Sequence, residues 1–406
     1  MTGRGISSNI RRFFRARGVL LLFAVVLTGC STASDTSHGP PLAATPTFST
    51  APGIYLGSQS VTISDSTPGA SIYFTTDGSR PATGSTLYSG PVTVASSATL
   101  QAIATANGYS QSAVASAAYS ISSSAAYVEN SNPGTTDWQI THWAAGQIEG
   151  FPSSPSVAQG GTIGFMVNTT SSLFFLQVFR LGWYQGLGGR AMTSPEVVQA
   201  APQPAPLFDP ETGLIECPWN PTYVLQVPRT WVSGVYLAKL TTTDTSAEAY
   251  IVFVVTNPVS SSPLLYDVPV FTYQAYNQWG GKSLYHGTDG QRAYKVSLRR
   301  PYDNNYGAGH ALDQDFDFIR FLEKHGYDVS YETDLELELG TIDLTRHKAW
   351  MVMAHPEYWS RPMRDAVTNA RDAGINLGFF SANEMTWQVR LETSSLTGIA
   401  NSTVVC

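Results

Sequence analysis

The chain has 406 residues, 13% of them charged, with a formal net charge of −7 and three cysteines, Cys30, Cys217 and Cys406. That length predicts two or three domains, each with its own core, and the low charge with abundant Gly, Ser, Thr, Tyr and Trp points to β-rich extracellular modules rather than a cytosolic helical enzyme. A negative balance with no basic cluster beyond the N-terminus argues against nucleic acid as a partner, and so few cysteines exclude a disulfide framework, although Cys217 and Cys406 could pair.

The first element is an export signal. Arg4, Arg11, Arg12, Arg15 and Arg17 precede the apolar run Val19 to Leu27 and then Thr28-Gly29-Cys30. The run is far shorter than the ~20 residues of a spanning helix. Its ending, Leu27-Thr28-Gly29-Cys30, resembles a bacterial lipoprotein box. The resemblance implies a signal peptide over residues 1–29, lipidation of Cys30 and a mature body held on the bacterial cell envelope, outside the cytoplasm. Ser31 follows where an aspartate would retain the protein in the inner membrane, so the outer membrane is the expected destination. Residues 30–45 hold little to bury and read as a spacer.

From residue 46 to 121 short alternating apolar runs are separated by turns, the pattern of a small β-sandwich. Ile72 to Thr75 runs into Asp77-Gly78, a strand entering a turn, with Pro81 beyond it. With Leu87-Tyr88-Ser89-Gly90-Pro91 and Ala106-Asn107-Gly108-Tyr109-Ser110, this stretch resembles the Ig-like module at the C-terminus of chitobiases and β-hexosaminidases. Tyr73 and Tyr88 read either as packing residues or as faces for sugar.

Residues 122–136 read as a second linker, and residues 137–257 as a second β-sandwich. Its strands are predicted at Thr162–Val167, Leu173–Arg180, Thr222–Val227, Gly234–Leu240 and Ala249–Val255. The glycines after Arg180 do not read as a phosphate loop, because no helical pattern follows them.

Residues 262–406 change character. Val268–Tyr273, Tyr327–Tyr331, Ala349–Ala354 and Ile375–Phe380 read as strands, and Asp313–His325 and Pro362–Ala373 as helices. Such alternation predicts an α/β domain with a mostly parallel, flavodoxin- or glutamine-amidotransferase-like sheet, incomplete at its C-terminal end. Ligands then bind beyond the carboxyl ends of the strands. Three motifs fall there: Tyr273-Gln274-Ala275-Tyr276-Asn277, His355-Pro356-Glu357 and Ser381-Ala382-Asn383-Glu384.

A phenolate from Tyr276 and a carboxylate from Glu357 are hard oxygen donors that suit ferric iron better than zinc. Iron would ionise the phenol and a bound water, His355 could take a proton, and Asn383 could stabilise a carbonyl oxygen becoming negative. The same tripeptide also reads as a plain strand end whose His355 and Glu357 pair with loop amides. Asp313, Asp315 and Asp317 alternate like a calcium loop but lack its glycine, and read better as a helix start. His310 is a further candidate to line the pocket, and Glu384 an alternative carboxylate.

Phe179-Arg180-Leu181-Gly182-Trp183-Tyr184 and Ser233-Gly234-Val235-Tyr236, with the three motifs above, resemble the large (beta) subunit of N,N-dimethylformamidase. The resemblance implies a mononuclear Fe(III) held by two tyrosines and a glutamate, with His355 and Asn383 as catalytic neighbours. Tyr276 and Glu357 match two of the metal ligands. Spacing points to Tyr236 for the third, although Tyr236 reads equally as a core strand tyrosine, with Tyr273 and Tyr302 in reserve. The implied activity is hydrolysis of a C–N amide bond in a small substrate by metal-bound hydroxide. The alternative function is a non-catalytic surface lipoprotein whose β-modules bind a cell-surface glycan.

Overall fold

The computed structural model describes residues 39–406. The expected signal peptide 1–29 and Cys30 lie outside the described residues. No helix among the described residues is long and apolar enough to cross a membrane.

The N-terminal module is a β-sandwich. Gly53–Leu56, Ala115–Ser122, Ala98–Thr105, Ser71–Thr75 and Thr86–Leu87 form one sheet, and Gln59–Val61 pairs with Val92–Val94 in another. Ala115, Ala117 and Tyr119 alternate inward along one strand, as a half-buried strand requires. Ala117 and Tyr119 meet Val61 and Val94 from the facing pair in one small core. At the strand end, Asp77 Oδ1 accepts the Ser79 N–H at 3.0 Å while Gly78 takes φ 77°, the Asp-Gly turn expected there. Tyr73 and Tyr88 are half-buried, with the Tyr88 ring edge-on to Phe74.

Residues 122–136 are not a loose linker. Ser124 caps a short helix, α1 (Ala125–Glu129), by accepting the Tyr127 N–H at 3.0 Å. Glu129 pairs with Arg190 at 2.6 Å, and the buried Asn130 accepts the N–H groups of Trp183 and Tyr184. The Ser- and Ala-rich composition conceals one good cap and two docking side chains.

The second sandwich packs Ile148–Pro152, Thr162–Thr169 and Tyr223–Gln226 against a larger sheet built on Leu173–Leu181, Gly234–Thr242 and Glu248–Thr256. Along Gly234–Thr242, Tyr236, Ala238 and Leu240 enter the sandwich core, while Val235 and Leu237 join the core of the C-terminal unit. This sheet is therefore covered on both faces, which is why Glu248–Thr256 is buried at every position and its stretch Ala249–Val255 reads as an unbroken apolar run.

In the C-terminal unit the strands are β1 (Leu264–Val268), β2 (Lys295–Ser297), β3 (Val329–Thr333), β4 (Ala349–Ala354), β5 (Tyr358–Ser360), β6 (Asn376–Ser381), β7 (Trp387–Glu392) and β8 (Thr403–Val405). The helices are α2 (Val270–Tyr276), α3 (Phe316–Lys324), α4 (Asp334–Leu339) and α5 (Arg361–Asp372). One sheet has the order β3-β1-β4-β6 with every pairing parallel. The other has the order β2-β8-β7-β5. The strand expected at Val268–Tyr273 is corrected: β1 stops at Val268, Pro269 takes the N-cap position, and Val270 onward is helical. A short buried apolar run does not distinguish strand from helix by periodicity, and here the proline marks the change. Cys217 and Cys406 are both free thiols.

Candidate functional site

In the parallel sheet the chain leaves β1 toward β3 on one side, then returns to place β4 on the other side of β1. A crevice opens where such connections diverge, outside the carboxyl ends of the two strands. The three motifs meet there.

The first comes from α2, whose seven residues are too few to be stable alone. Its start is held by Asp334, whose Oδ2 accepts the Phe271 N–H at 2.6 Å. Its end is held by the fully buried Arg300, which donates to the carbonyls of Gln274 (3.1 Å) and Asn277 (2.8 Å). A cation at the carbonyl end of a helix is favoured by the aligned peptide dipoles. Tyr273 and Tyr276, three residues apart, then share a helix face.

The second motif leaves β4. The chain bends at Pro356, where the Glu357 N–H donates to His355 O at 3.0 Å, so the pair does not continue an extended strand. The Thr272 hydroxyl on α2 accepts both the Glu357 N–H (3.1 Å) and the Tyr358 N–H (3.2 Å), fastening this bend to the helix. The third motif follows β6. Asn383 takes φ 56°, a left-handed conformation that asparagine tolerates better than most residues. The Met385 and Trp387 N–H groups donate to Pro356 O and Glu357 O, tying this loop to the same bend.

These constraints bring four side chains together. Tyr276 Oη donates to Glu357 Oε2 at 2.5 Å and lies 3.2 Å from His355 Nε2. His355 Nε2 is 3.3 Å from Glu357 Oε2 and 3.3 Å from Asn383 Nδ2. Glu357 is almost fully buried, whereas His355 reaches solvent. Burial, then the hydrogen bond and negative charge of Glu357, hold the Tyr276 phenol well above its usual range, because the anion would form beside another anion in a poorly solvated place. A cation among these atoms would reverse that sign.

Among the described residues no three His, Cys, Asp or Glu side chains gather as a metal site, so a metal here needs the phenol. The Tyr276 and Glu357 oxygens, 2.5 Å apart, are a pair of hard donors that fits a strongly Lewis-acidic ion, with the His355 imidazole nitrogen within 3.3 Å of both.

Tyr236 is not brought to this cluster. It is fully buried in the sandwich core, stacked between Trp231 and Phe253, and its hydroxyl donates to Val232 O at 2.6 Å. Its side chain faces away from the C-terminal unit because neighbouring residues on a strand point to opposite faces. Of the reserves, Tyr273 is 1% exposed and its hydroxyl is a buried group without a partner among the described residues. Its ring lies 5.7 Å from that of His310, which in turn lies 6.3 Å from the ring of Tyr276. Tyr302 packs edge-on to Tyr273. Glu384 is turned away and accepts the Ser381 hydroxyl at 3.0 Å.

Sequence reasoning missed Thr272, Tyr285 and Tyr358. Thr272 is the hydroxyl residue in the apolar start of α2, a visible signal; Tyr358 directly follows Glu357, and its ring stands edge-on to Tyr276. Tyr285 stacks on Tyr276 at 5.1 Å from a loop, and no local pattern announces it.

A β-sandwich sharing its core with a parallel α/β sheet, and a phenol, carboxylate and imidazole at the rim of that sheet, define the class of protein. The chain matches the family model described as N,N-dimethylformamidase beta subunit-like, C-terminal, over residues 175–406, and it belongs to that family. Residues 50–116 match the chitobiase/beta-hexosaminidase C-terminal domain. A curated relative, the N,N-dimethylformamidase beta subunit of an Alcaligenes species, is 27% identical over 225 residues, covering 45% of this chain and 29% of the relative. Among solved structures, fibronectin(III)-like modules of Clostridium thermocellum CbhA match at 10% identity over 52% of this chain and 93% of theirs, with a TM-score of 0.16. A Bacteroides ovatus glucan-utilisation protein, SGBP-B, matches at 12% identity over 54% of this chain and 48% of its own, with a TM-score of 0.13. Scores this low carry no argument.

Proposed function

We propose that this chain is a bacterial surface lipoprotein, anchored through Cys30, that hydrolyses the C–N bond of a small amide with a ferric ion as cofactor. The observation that carries the reading is the convergence of Tyr276, Glu357, His355 and Asn383 from three separate strand ends. Membership of a family that includes a dimethylformamidase subunit supports it, as does the strand order two-one-three-four, which matches the start of the flavodoxin-like order.

Tyr276 and Glu357 would hold the ion. When bound, a ferric ion supplies Lewis acidity that polarises the amide carbonyl and makes water acidic enough to attack near neutral pH. His355, partly open to solvent and within reach of both ligand oxygens, takes the proton of the attacking water and returns it to the departing amine. The Asn383 amide donates to the carbonyl oxygen as negative charge builds on it.

The test is release of dimethylamine from N,N-dimethylformamide by the iron-loaded protein, with N,N-dimethylacetamide as a larger amide. His355→Ala should lower the rate by ~10²–10⁴-fold with iron still bound. Loaded protein that hydrolyses neither amide, or a His355→Ala variant as active as its parent, refutes the reading.

A further inference from the structure

A cavity apart from the Tyr276 cluster lies where residues 143–150 of the sandwich meet the 301–307 loop of the C-terminal unit. Its volume is about 370 Å³, within the range of pockets that take small organic ligands. Trp143, Trp279 and Tyr306 line it together with Glu149, Glu248 and Asp303, and no Lys, Arg or His does.

Trp143 and Tyr306 are 63% and 51% exposed, their ring centres 6.4 Å apart. They belong to no core, so packing does not explain them. Tyr306 and the preceding Asn305 both hold positive φ, 59° and 46°, and Gly307 follows where a side chain would collide with the Tyr250 carbonyl. A tyrosine at positive φ is strained, and strain of this kind collects at ligand clamps. The loop is thus bent to hold one aromatic ring beside another at the mouth of a polar cavity.

The charges select the ligand. Glu248 is committed to Lys239 at 2.8 Å and to the Thr141 and His142 N–H groups. Glu149 accepts the Trp279 indole N–H at 2.8 Å. Asp303 is the acid turned to solvent, and its carboxylate, like the half-buried one of Glu149, is a good acceptor for hydroxyl groups. Asn305 gives its amide N–H groups to Gly309 O and Asp313, which leaves its carbonyl as another acceptor. Hydroxyl acceptors beside flat electron-rich faces suit a pyranose ring, whose C–H face carries the positive edge of its bonds.

We propose that this cavity binds a neutral pyranose unit of a glycan, independently of the hydrolytic reading of the Tyr276 cluster. The test titrates the detergent-solubilised full chain with chitotetraose, cellotetraose and mannotetraose, and with tetramethylammonium as a cationic probe, by calorimetry. Binding of at least one saccharide is expected, weakened about tenfold or more by Trp143→Ala and by Tyr306→Ala and unchanged by Tyr88→Ala in the N-terminal module. Trp143 is exposed, so an unaltered thermal midpoint for Trp143→Ala separates lost binding from lost folding. The proposal is overturned if tetramethylammonium binds and no saccharide does, if no probe binds, or if saccharide affinity survives Trp143→Ala and Tyr306→Ala or falls with Tyr88→Ala.

Discussion

Asp315 shows how far burial shapes single residues in this protein. It is fully buried, accepts the Tyr266 hydroxyl at 2.6 Å through one oxygen and leaves the other without a partner among the described residues, with Asp267 as a further buried acid nearby. Desolvation pushes its carboxyl up to about 8, against the pull of the Tyr266 hydrogen bond. An acid whose folded pKa lies above its unfolded value near ~3.9 stabilises the fold fully below that value, and the contribution is lost as pH rises through about 8. Asp315→Asn, neutral and nearly the same shape, should flatten the fall in thermal midpoint between about pH 5 and about pH 8, raising stability at the upper end by a few kcal/mol, on the order of the linkage term. A variant with the parent's slope would mean that Asp315 is ionised in the fold throughout. In the sequence Asp315 reads as one of three helix-opening acids; alternation shows spacing, and only the packing of Tyr266 and α3 shows which of the three is buried.

At the scale of elements, α2 is a short helix that exists because other elements hold it. The Thr272 hydroxyl is the link that ties it to the bend at Pro356. Thr272→Val would leave the Tyr358 N–H group without the hydroxyl that accepts it and the Glu357 N–H with only His355 O, at a cost of about 1–3 kcal/mol, and Glu357 would lose its fixed place beside Tyr276. Urea unfolding should record the first effect and iron competition titration the second, with Thr272→Ser restoring both; iron affinity unchanged in Thr272→Val would show that the bend needs no such tie. The motifs of this site were legible because each follows a strand end, where an α/β sheet gathers ligands. The helix carrying Tyr276 was not, because its apolar run of helical length equally fits a buried strand. Tyr236 failed for a related reason: spacing along the chain does not state which face of a strand a residue occupies.

Over the whole molecule, the second sandwich and the α/β unit share one core, and Arg180 and Glu323 bridge them at 2.6 Å with neither side chain exposed. Tyr331 and Asn130 complete the network by donating to Glu323. Glu323→Leu would leave Arg180 charged and unpaired in the interior, which costs about 3–5 kcal/mol. Calorimetry should show one transition for sandwich and α/β unit together moving down, with that of the N-terminal module, which has its own core, unmoved; separate sandwich and α/β transitions with only the latter displaced would contradict a shared core. Composition and periodicity announce the three regions, but not this fusion, since long-range contacts between a sandwich strand and a distant helix leave no local pattern.

Iron content measured together with visible absorption is the most direct test of the Tyr276 centre. The purified chain, supplied with ferric iron, should bind it near stoichiometrically with a phenolate-to-iron charge-transfer band; Tyr276→Phe should abolish the band, and Glu357→Ala the binding. A folded parent that takes up no iron, or a band that persists in Tyr276→Phe, would contradict it.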